Sequence, residues 1–307
     1  MFLGEASPRP VPSARHLISV DELISLRFWP PARQNSCERM AIREGHHLSH
    51  IRGRGMEYDD VREYQPGDDI RHLDWRLMAR TGEAHTKLYR EERERPVFLL
   101  CDLRHSMQFA TRGHFKSVLA AYASAKALWT TLANGDRVGG MLLSEQQEQL
   151  FKPSNSRQQL MQMITALSQG VEPTEQTTER SLAQSLARLE SILSSGSILY
   201  IFSDFHDVDE ETELHLMRLA QRCELKLVLI SDPLEQQLPS SGKSYRFSGL
   251  GRELLVSANQ AQQLKYRGQF QQRLQLLQNL HNLRGVEFAH WQTDQHPLFQ
   301  FNSQEVS

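Results

Sequence analysis

The chain of 307 residues is long enough for one large domain, or for one domain with a smaller companion. Hydrophobic residues make up 39% and charged residues 23%, values that are typical of a water-soluble globular protein. The formal net charge of −2 excludes a global field that would attract nucleic acid or an anionic membrane. No window approaches the roughly 18 apolar residues that a membrane span needs, so we expect no membrane insertion.

The start of the chain and the cysteines favour a cytoplasmic protein. Residues 1–15 are rich in proline and serine and lack the apolar core of a secretory signal, so we expect a flexible arm. The three cysteines, Cys37, Cys101 and Cys223, form no CxxC pair, which disfavours a zinc site. Cys101 and Cys223 are expected to be buried free thiols.

Residues 16–95 are predicted to form an N-terminal subdomain that is rich in short strands and coil. A helix is predicted to begin at Ser19 or Asp21, either of which can cap it, and to end near Phe28 before two prolines. Three further elements are predicted: a turn over Gln65–Asp68, one or two helical turns over Leu73–Arg80 and an edge strand over Ala84–Tyr89.

From residue 96 onward, strands and helices are predicted to alternate almost to the end of the chain. The predicted strands are Val97–Cys101, Arg137–Leu143, Ile198–Phe202, Leu225–Ile230 and Val286–Trp291. The predicted helices are Phe115–Ala133, Arg157–Leu167, Glu179–Leu193, Glu210–Arg222 and Asn259–Leu283. This order predicts an α/β domain over residues 96–307, with a doubly wound and mostly parallel sheet.

Three of the predicted strands end on an aspartate, which is the main physical indication of a binding site. Asp102, Asp204 and Asp232 follow the first, third and fourth strands. Ligands of such sheets bind beyond the carboxyl ends of the strands, where the strand order reverses. We therefore expect these carboxylates to converge at one edge of the sheet.

The loop after the first strand carries part of a divalent-cation site. The pattern Asp-x-Ser-x-Ser places three oxygen ligands on one tight loop, as Mg²⁺ requires. Asp102 and Ser106 fit the pattern, but Arg104 replaces its first serine, and a guanidinium cannot ligate a cation. Either Arg104 turns away, or it takes the place of the metal and pairs with Asp102 and Asp204; we favour the second arrangement.

The segment Gly53–Gly82 is dense in acids, arginines and turn-forming residues. It could hold a divalent metal or a phosphate, but the even alternation of charge favours a structural set of arginine–carboxylate pairs. The residues of this predicted ion-pair motif are Arg62, Asp68, Asp69, Arg71, Asp74, Trp75, Arg76 and Arg80.

The order of short motifs in this segment is specific. A GRG, an acid before DVREYQPGDD, then R-x-x-DW and AR-x-G occur without a gap and are followed by the loop Asp102–Met107. This sequence resembles the bacterial domain-of-unknown-function family number fifty-eight, and a looser resemblance extends to Asp294. The resemblance implies a von Willebrand factor A-like domain with a metal-ion-dependent adhesion site. Its residues would be Asp102, Ser106, Asp204 and Thr178, with Thr177 as the alternative threonine.

The resemblance also implies a function, since members of that family are usually encoded beside MoxR-type AAA+ ATPases. We expect a non-enzymatic adaptor or co-chaperone that binds such an ATPase, and other von Willebrand factor A-like proteins of the same operon, during protein maturation or complex assembly. The expected partner-binding residues are Asp102, Arg104, Ser106 and Asp204. We expect no cofactor, with Mg²⁺ as the ligand if the degenerate site binds one. The expected location is the cytoplasm, with partners that could hold the protein at the inner membrane.

A metal-dependent hydrolase, such as a phosphoesterase, is the alternative from another class. It would use Asp68, Asp69, His72 and Asp74 around bound ions, although the sequence offers no known spacing for such a site. Nucleic-acid binding through the basic helix Lys265–Arg284 is disfavoured, because aromatic residues are sparse and the overall charge is slightly negative.

Overall fold

The computed structural model describes residues 18–29, 56–65, 71, 73–91, 96–144, 147–170, 181–236, 244–249, 252–257 and 260–295. The chain divides into two compact units. The larger unit joins residues 1–33 to residues 95–307, and the smaller unit spans residues 34–94. The predicted arm, residues 1–15, lies outside the described residues.

The described elements are numbered in chain order. The helices are α1 (Val20–Ser25), α2 (Trp75–Thr81), α3 (Lys116–Ala133), α4 (Arg157–Gln169), α5 (Leu182–Ile192), α6 (Glu210–Ala220), α7 (Pro233–Gln236) and α8 (Gln260–His281). The strands are β1 (Met56–Glu63), β2 (His85–Glu91), β3 (Val97–Asp102), β4 (Val138–Leu143), β5 (Glu148–Ser154), β6 (Ile198–Ser203), β7 (Glu224–Ser231), β8 (Ser244–Gly249), β9 (Arg252–Ser257) and β10 (Val286–Gln292). Two single 3₁₀ turns span Leu26–Phe28 and His105–Met107.

The larger unit contains a six-stranded sheet with the strand order β10-β7-β6-β3-β4-β5. All neighbouring pairs are parallel except β4 and β5, so β5 is an antiparallel edge strand. The chain leaves β3 toward β4 and later returns to place β6 on the other side of β3. The strand order therefore reverses between β3 and β6, and the predicted doubly wound, mostly parallel α/β fold is confirmed.

The sheet is covered on both faces, as continuous apolar strands require. Leu99 and Cys101 of β3 lie in one apolar layer, together with α3 and α4, whereas Phe98 and Leu100 face a second layer with α5, α6 and α8. The expected burial of two free thiols is confirmed for Cys101 and Cys223. Burial raises the pKa of the Cys101 thiol to about 12, which makes it unreactive.

Helix α1 belongs to the larger unit, which corrects the predicted domain boundary at residue 16. It begins with a capping box between Ser19 and Glu22 and contacts α3 and α4. On α3, Trp129 Nε1 donates to Leu23 O at 3.0 Å, and Lys126 Nζ donates to Trp29 O. The smaller unit therefore begins after this segment, because the apolar side of residues 18–29 is buried against α3.

The smaller unit contains the antiparallel pair β1–β2, with α2 between the two strands in sequence. Both the predicted helical turns and the predicted edge strand are confirmed. The ion-pair motif is only partly described, since Asp68 and Asp69 lie outside the described residues. The turn expected at Gln65–Asp68 also lies outside them beyond its first residue. Arg62 donates to the carbonyl oxygen of Glu63. Arg76 and Arg80 are exposed, and their guanidiniums form no ion pair with a described carboxylate. The ion pairs predicted for these two arginines are therefore not found among the described residues.

Three described features were not predicted. Phe151 is the only buried residue of strand β5, so this strand lacks a continuous apolar run. The hairpin β8–β9 and the short helix α7 were also missed. Within the described ranges, no helix is long and apolar enough to span a membrane.

The loop after β3 is held against the end of β10 at Gly113, and this contact gives a test of the fold. Gly113 has φ +74°, and a Cβ built there would lie 1.9 Å from Thr293 O. Gly135 has φ +82°, but nothing lies within 4 Å of its built Cβ. We expect Gly135→Ala to destabilise the fold by about 1–2 kcal/mol, from the left-handed backbone alone. Gly113→Ala should cost a further ~1–3 kcal/mol, because the backbone must move. Urea denaturation measures both, and equal losses would contradict this account.

Candidate functional site

The candidate site lies at the carboxyl ends of β3, β6 and β7, where the strand order reverses. Asp102 ends β3, Asp204 follows β6 and Asp232 follows β7. Ser203 Oγ donates to Asp102 Oδ2 at 2.6 Å and thereby connects the ends of β3 and β6. The structure therefore brings the three predicted carboxylates to one edge of the sheet, although each has a different partner.

Arg104 occupies the centre of the site, with its side chain fully buried. Its Nε and Nη2 donate to the two oxygens of Asp102, at 3.0 and 2.8 Å. Its Nη1 and Nη2 donate to the two oxygens of Asp207, at 2.6 and 2.9 Å. One guanidinium thus forms two bidentate pairs, the strongest geometry available to an arginine.

The backbone fixes the two carboxylates that flank Arg104. Asp102 Oδ1 accepts the amide of Arg104 at 3.1 Å, which folds the loop back on the end of its strand. Asp207 Oδ2 accepts the amide of Leu182 at 2.9 Å, at the first turn of α5. Burial alone raises the pKa of Asp207, but the hydrogen bonds and charge of Arg104 outweigh it and lower that pKa.

The predicted partner of Arg104 needs a correction. Arg104 takes the central position, as favoured from the sequence, but its second carboxylate is Asp207 and not Asp204. Asp207 is 24% exposed and follows Asp204 by three residues in the same loop. The sequence did show a second acid, Asp207, three residues after Asp204. The prediction considered only the acids that directly follow a strand, so it did not select Asp207.

Asp204 pairs instead with Lys116, the first residue of α3. Lys116 Nζ donates to Asp204 Oδ2 at 2.6 Å and also to Glu235 Oε1 on α7. The side chains of Lys116 and Asp204 are both buried. His206 Nδ1 lies 3.1 Å from Asp204 Oδ1, and Arg273 donates to the Asp204 carbonyl oxygen. Lys116 was missed because it opens an otherwise apolar helix, where a lysine normally points to solvent.

The charges and the burial of Lys116, Asp204 and Glu235 shift their pKa values. Burial alone raises the pKa of Asp204, but Lys116 and His206 outweigh it and hold that pKa well below the usual 3.8. Burial also raises the pKa of Glu235, and the positive charge of Lys116 offsets this rise only in part. Lys116 is held in its charged form, because two carboxylates outweigh its own burial and raise its pKa.

The third strand-end aspartate, Asp232, joins loops rather than facing a ligand. It accepts hydrogen bonds from the amide and hydroxyl of Thr111, at 2.7 Å each, and from Thr293 Oγ1 at 2.6 Å. The amide of Leu234 donates to it at 2.8 Å. Asp232 therefore ties the loop after β3 to the ends of β7 and β10.

The remaining adhesion-site candidates do not complete a coordination sphere among the described residues. Ser106 lies in the 3₁₀ turn His105–Met107, and its buried Oγ has no hydrogen-bond partner within the described part of the chain. Thr177 and Thr178 lie outside the described residues.

A divalent cation does not fit this arrangement. Both oxygens of Asp102 already accept hydrogen bonds from Arg104, and a divalent ion near 4 Å from that guanidinium would be repelled by roughly 8 kcal/mol at an effective dielectric of about 20. Across the described ranges, no three or more histidine, cysteine or acidic side chains are grouped as a metal site requires. The guanidinium stands where the resemblance implied Mg²⁺.

Of the four residues of the hydrolase alternative, the structure describes only Asp74. Asp74 Oδ1 accepts the amides of Arg76 and Leu77, at 3.0 and 3.1 Å, and so caps α2. The other three candidates, Asp68, Asp69 and His72, lie outside the described residues.

The fold and the site together define an α/β protein in which the chain's own cations neutralise the carboxylates at the carboxyl edge of the sheet. The family described as "Protein of unknown function DUF58" matches residues 60–277, which is more than half of the chain. The chain belongs to the DUF58 family, as its motifs predicted.

The chain is also similar to curated proteins whose sequences are 27% identical to it. Uncharacterised proteins of Mycobacterium bovis and Mycobacterium tuberculosis are each 27% identical over 205 residues. Each of these matches covers 66% of this chain and 63% of the relative's length.

Three solved structures are more distant. The conserved hypothetical protein BatB from Bacteroides thetaiotaomicron is 12% identical, with a TM-score of 0.40 over 67% of this chain and 93% of that one. An aerotolerance-related membrane protein from Bacteroides fragilis is 12% identical, with a TM-score of 0.39 over 67% and 94%. A von Willebrand factor type A protein from Catenulispora acidiphila is 11% identical, with a TM-score of 0.30 over 48% and 35%. The family assignment rests on the match over residues 60–277 and not on these distant structures.

The first prediction from the site concerns Arg104→Ser, which restores the serine of the cation-binding pattern. Without magnesium, the variant should lose about 3–5 kcal/mol of stability, because the buried Asp102 and the half-buried Asp207 lose their counter-charge. Added magnesium should raise the melting temperature of the variant and leave that of the parent unchanged, since binding to the folded state alone stabilises it. Arg112→Ser, an exposed arginine of the same loop, is the matched control. An equal magnesium response in parent and variant would show that Arg104 does not fill the site.

The second prediction concerns acid stability. The pKa values of Asp204 and Asp207 are lower in the folded protein than the usual 3.8, so the unfolded chain binds protons first as the pH falls. The stability that these pairs supply is therefore complete well above pH 3.8 and is lost as the pH falls through and below it. The double variant Lys116→Met/Asp204→Asn lacks one titrating pair and should show a shallower loss. Urea midpoints measured from neutral to acidic pH test this, and identical slopes for the two proteins would contradict it.

Proposed function

We propose that this DUF58 protein is a non-enzymatic protein-interaction module that acts as an adaptor or co-chaperone of a MoxR-type AAA+ ATPase. The observation that carries the proposal is the double bidentate pairing of Arg104 with Asp102 and Asp207. A site in which the chain's own cation neutralises its own acids favours binding a partner over chemistry on a substrate.

The state of the acidic groups supports the absence of catalysis. Asp102 and Asp204 are buried, and each is engaged by a buried cation. A general acid or base must reach the reacting atom, either directly or through one water molecule. Neither carboxylate can do so without breaking an internal ion pair, so the site is better suited to holding loops in place.

The partner-binding role changes accordingly. Arg104 was predicted as a partner-binding residue, but it is buried and paired with two carboxylates, so it cannot also bind a carboxylate of a partner. Asp102, Arg104 and Asp204 instead position the surrounding loops. The buried Oγ of Ser106, the fourth predicted residue, forms no hydrogen bond with the described residues. The contact surface is proposed to comprise exposed residues of the loops 103–115 and 204–209, with Arg112 as the cation available to an acidic loop. Its neighbour Thr111 is anchored to Asp232, so the backbone at Arg112 is held in place.

The proposed partners are a MoxR-type ATPase and other von Willebrand factor A-like proteins of the same operon. Because the cations belong to the chain, docking to these partners needs no metal to complete a coordination sphere. The predicted cytoplasmic location, with partners at the inner membrane, stays a prediction.

A binding measurement with a purified MoxR-type ATPase of the same organism tests the proposal. We expect binding in at least one nucleotide state, with an unchanged Kd when EDTA replaces magnesium during the binding step, after the nucleotide state has been set. Arg112→Glu should raise the Kd at least about tenfold, as expected for an arginine that anchors an interface. Arg284→Glu, an exposed arginine beside the opposite end of the sheet, is the control with the same charge change. Failure to bind in any nucleotide state would end the adaptor hypothesis, and loss of binding in EDTA would contradict metal-independent docking.

A further inference from the structure

We propose that the exposed face of α2 is a second docking surface, which binds an acidic segment of a partner protein that also carries an apolar side chain. We call this surface the α2 face; its residues are Trp75, Arg76, Ala79 and Arg80. It lies in the smaller unit and does not involve the residues of the candidate site. It extends the proposed interaction role to a part of the molecule that the site does not explain.

The α2 face follows from helical spacing. Positions 75, 76, 79 and 80 are exposed, and Leu77 and Met78 between them are half-buried. Residues four apart lie on the same side of a helix, so Trp75 stands above Ala79 and Arg76 stands above Arg80. The result is one strip with an indole and a small residue beside a strip with two guanidiniums.

The exposure of Trp75 is unusual within this chain. Its side chain is 60% exposed, whereas Trp29, Trp129 and Trp291 are 9%, 8% and 5% exposed. A large exposed indole contributes little to folding but can anchor an interface. Tryptophan and arginine are the residues most enriched among those that dominate binding energy.

The helix that presents this face is fixed at both ends. Asp74 caps its first turn, and Gly82, with φ +79°, ends it through a hydrogen bond to Met78 O. The amide of Asp74 donates to His85 O at 2.8 Å, and Leu73 pairs with Thr86, so the helix is attached to β2. A rigid face loses little conformational entropy when a partner binds.

The charge of the face selects the chemistry of the partner. The side chains of Arg76 and Arg80 form no ion pair with the described residues, and α2 contains no acidic residue. Two guanidiniums on one side of a helix would repel a basic segment and form charge-assisted hydrogen bonds with carboxylates. The space above Ala79, next to the Trp75 ring, suits an apolar side chain from the same segment. A nucleic acid would need more aromatic and basic residues than this strip supplies.

The experiment uses the full chain and two fluorescein-labelled peptides. The test peptide contains glutamate, serine and one leucine, and the control peptide carries lysine in place of glutamate. We expect anisotropy to show binding of the glutamate peptide only, with weaker binding at higher salt. Trp75→Ala and the double variant Arg76→Glu/Arg80→Glu should each raise the Kd at least about tenfold.

The matched control is Arg157→Glu/Arg218→Glu, which makes the same charge change at exposed positions of α4 and α6 and should leave the Kd unchanged. Circular dichroism and melting curves confirm that each variant is folded. Trp75→Phe keeps a ring at this position and should retain part of the affinity. Arg112→Glu should leave peptide binding unchanged, so failure of the α2 face and failure of the proposed ATPase-binding surface remain distinguishable.

Three results would overturn the proposal. They are no binding of the glutamate peptide, equal loss of binding in the variants and the matched control, and equal or tighter binding of the lysine peptide or of a single-stranded thymidine oligonucleotide.

Discussion

The carboxyl edge of the sheet depends on one buried guanidinium. Arg104 comes from the loop after β3, Asp207 comes from the loop after β6, and Asp207 in turn accepts an amide of α5. Three elements that are far apart in sequence therefore meet through a single side chain. Burying Asp102 fully and Asp207 in large part is unfavourable unless a cation lies between them, so this edge of the fold depends on Arg104.

Lys116 repeats the same arrangement beside Arg104, between Asp204 and Glu235. Both cations are covalent parts of the chain, so neither can be removed by a chelator or exchanged for another ion. A bound metal can offer an open coordination position to a partner, whereas a saturated guanidinium cannot. On the proposed interaction role, this difference places the partner contacts on the exposed residues around the site, while the buried residues shape the surface.

The fold class could be predicted from the sequence, because apolar runs, helix caps and strand-end acids are local signals. It also located the edge of the sheet where Asp102, Asp204 and Asp232 meet. The pairing within that edge was not predictable in the same way. Whether Arg104 meets Asp204 or Asp207 depends on the path of a loop, and Lys116 looks like a surface residue until α3 is packed. Strand β5 was missed for a related reason, since an edge strand with a single buried residue has no continuous apolar signal.

The smaller unit, residues 34–94, interrupts the larger unit in sequence, so the described segments before and after it both belong to the larger unit. On one side, the segment before it is held by Lys126 and Trp129; on the other, Pro96 O accepts the amide of Ile198 at the start of the central strands. A protease that cuts within the smaller unit would therefore leave two fragments that stay associated. The severed amino-terminal piece would still be retained by the helices on which α1 packs, and the nick would show only on a denaturing gel.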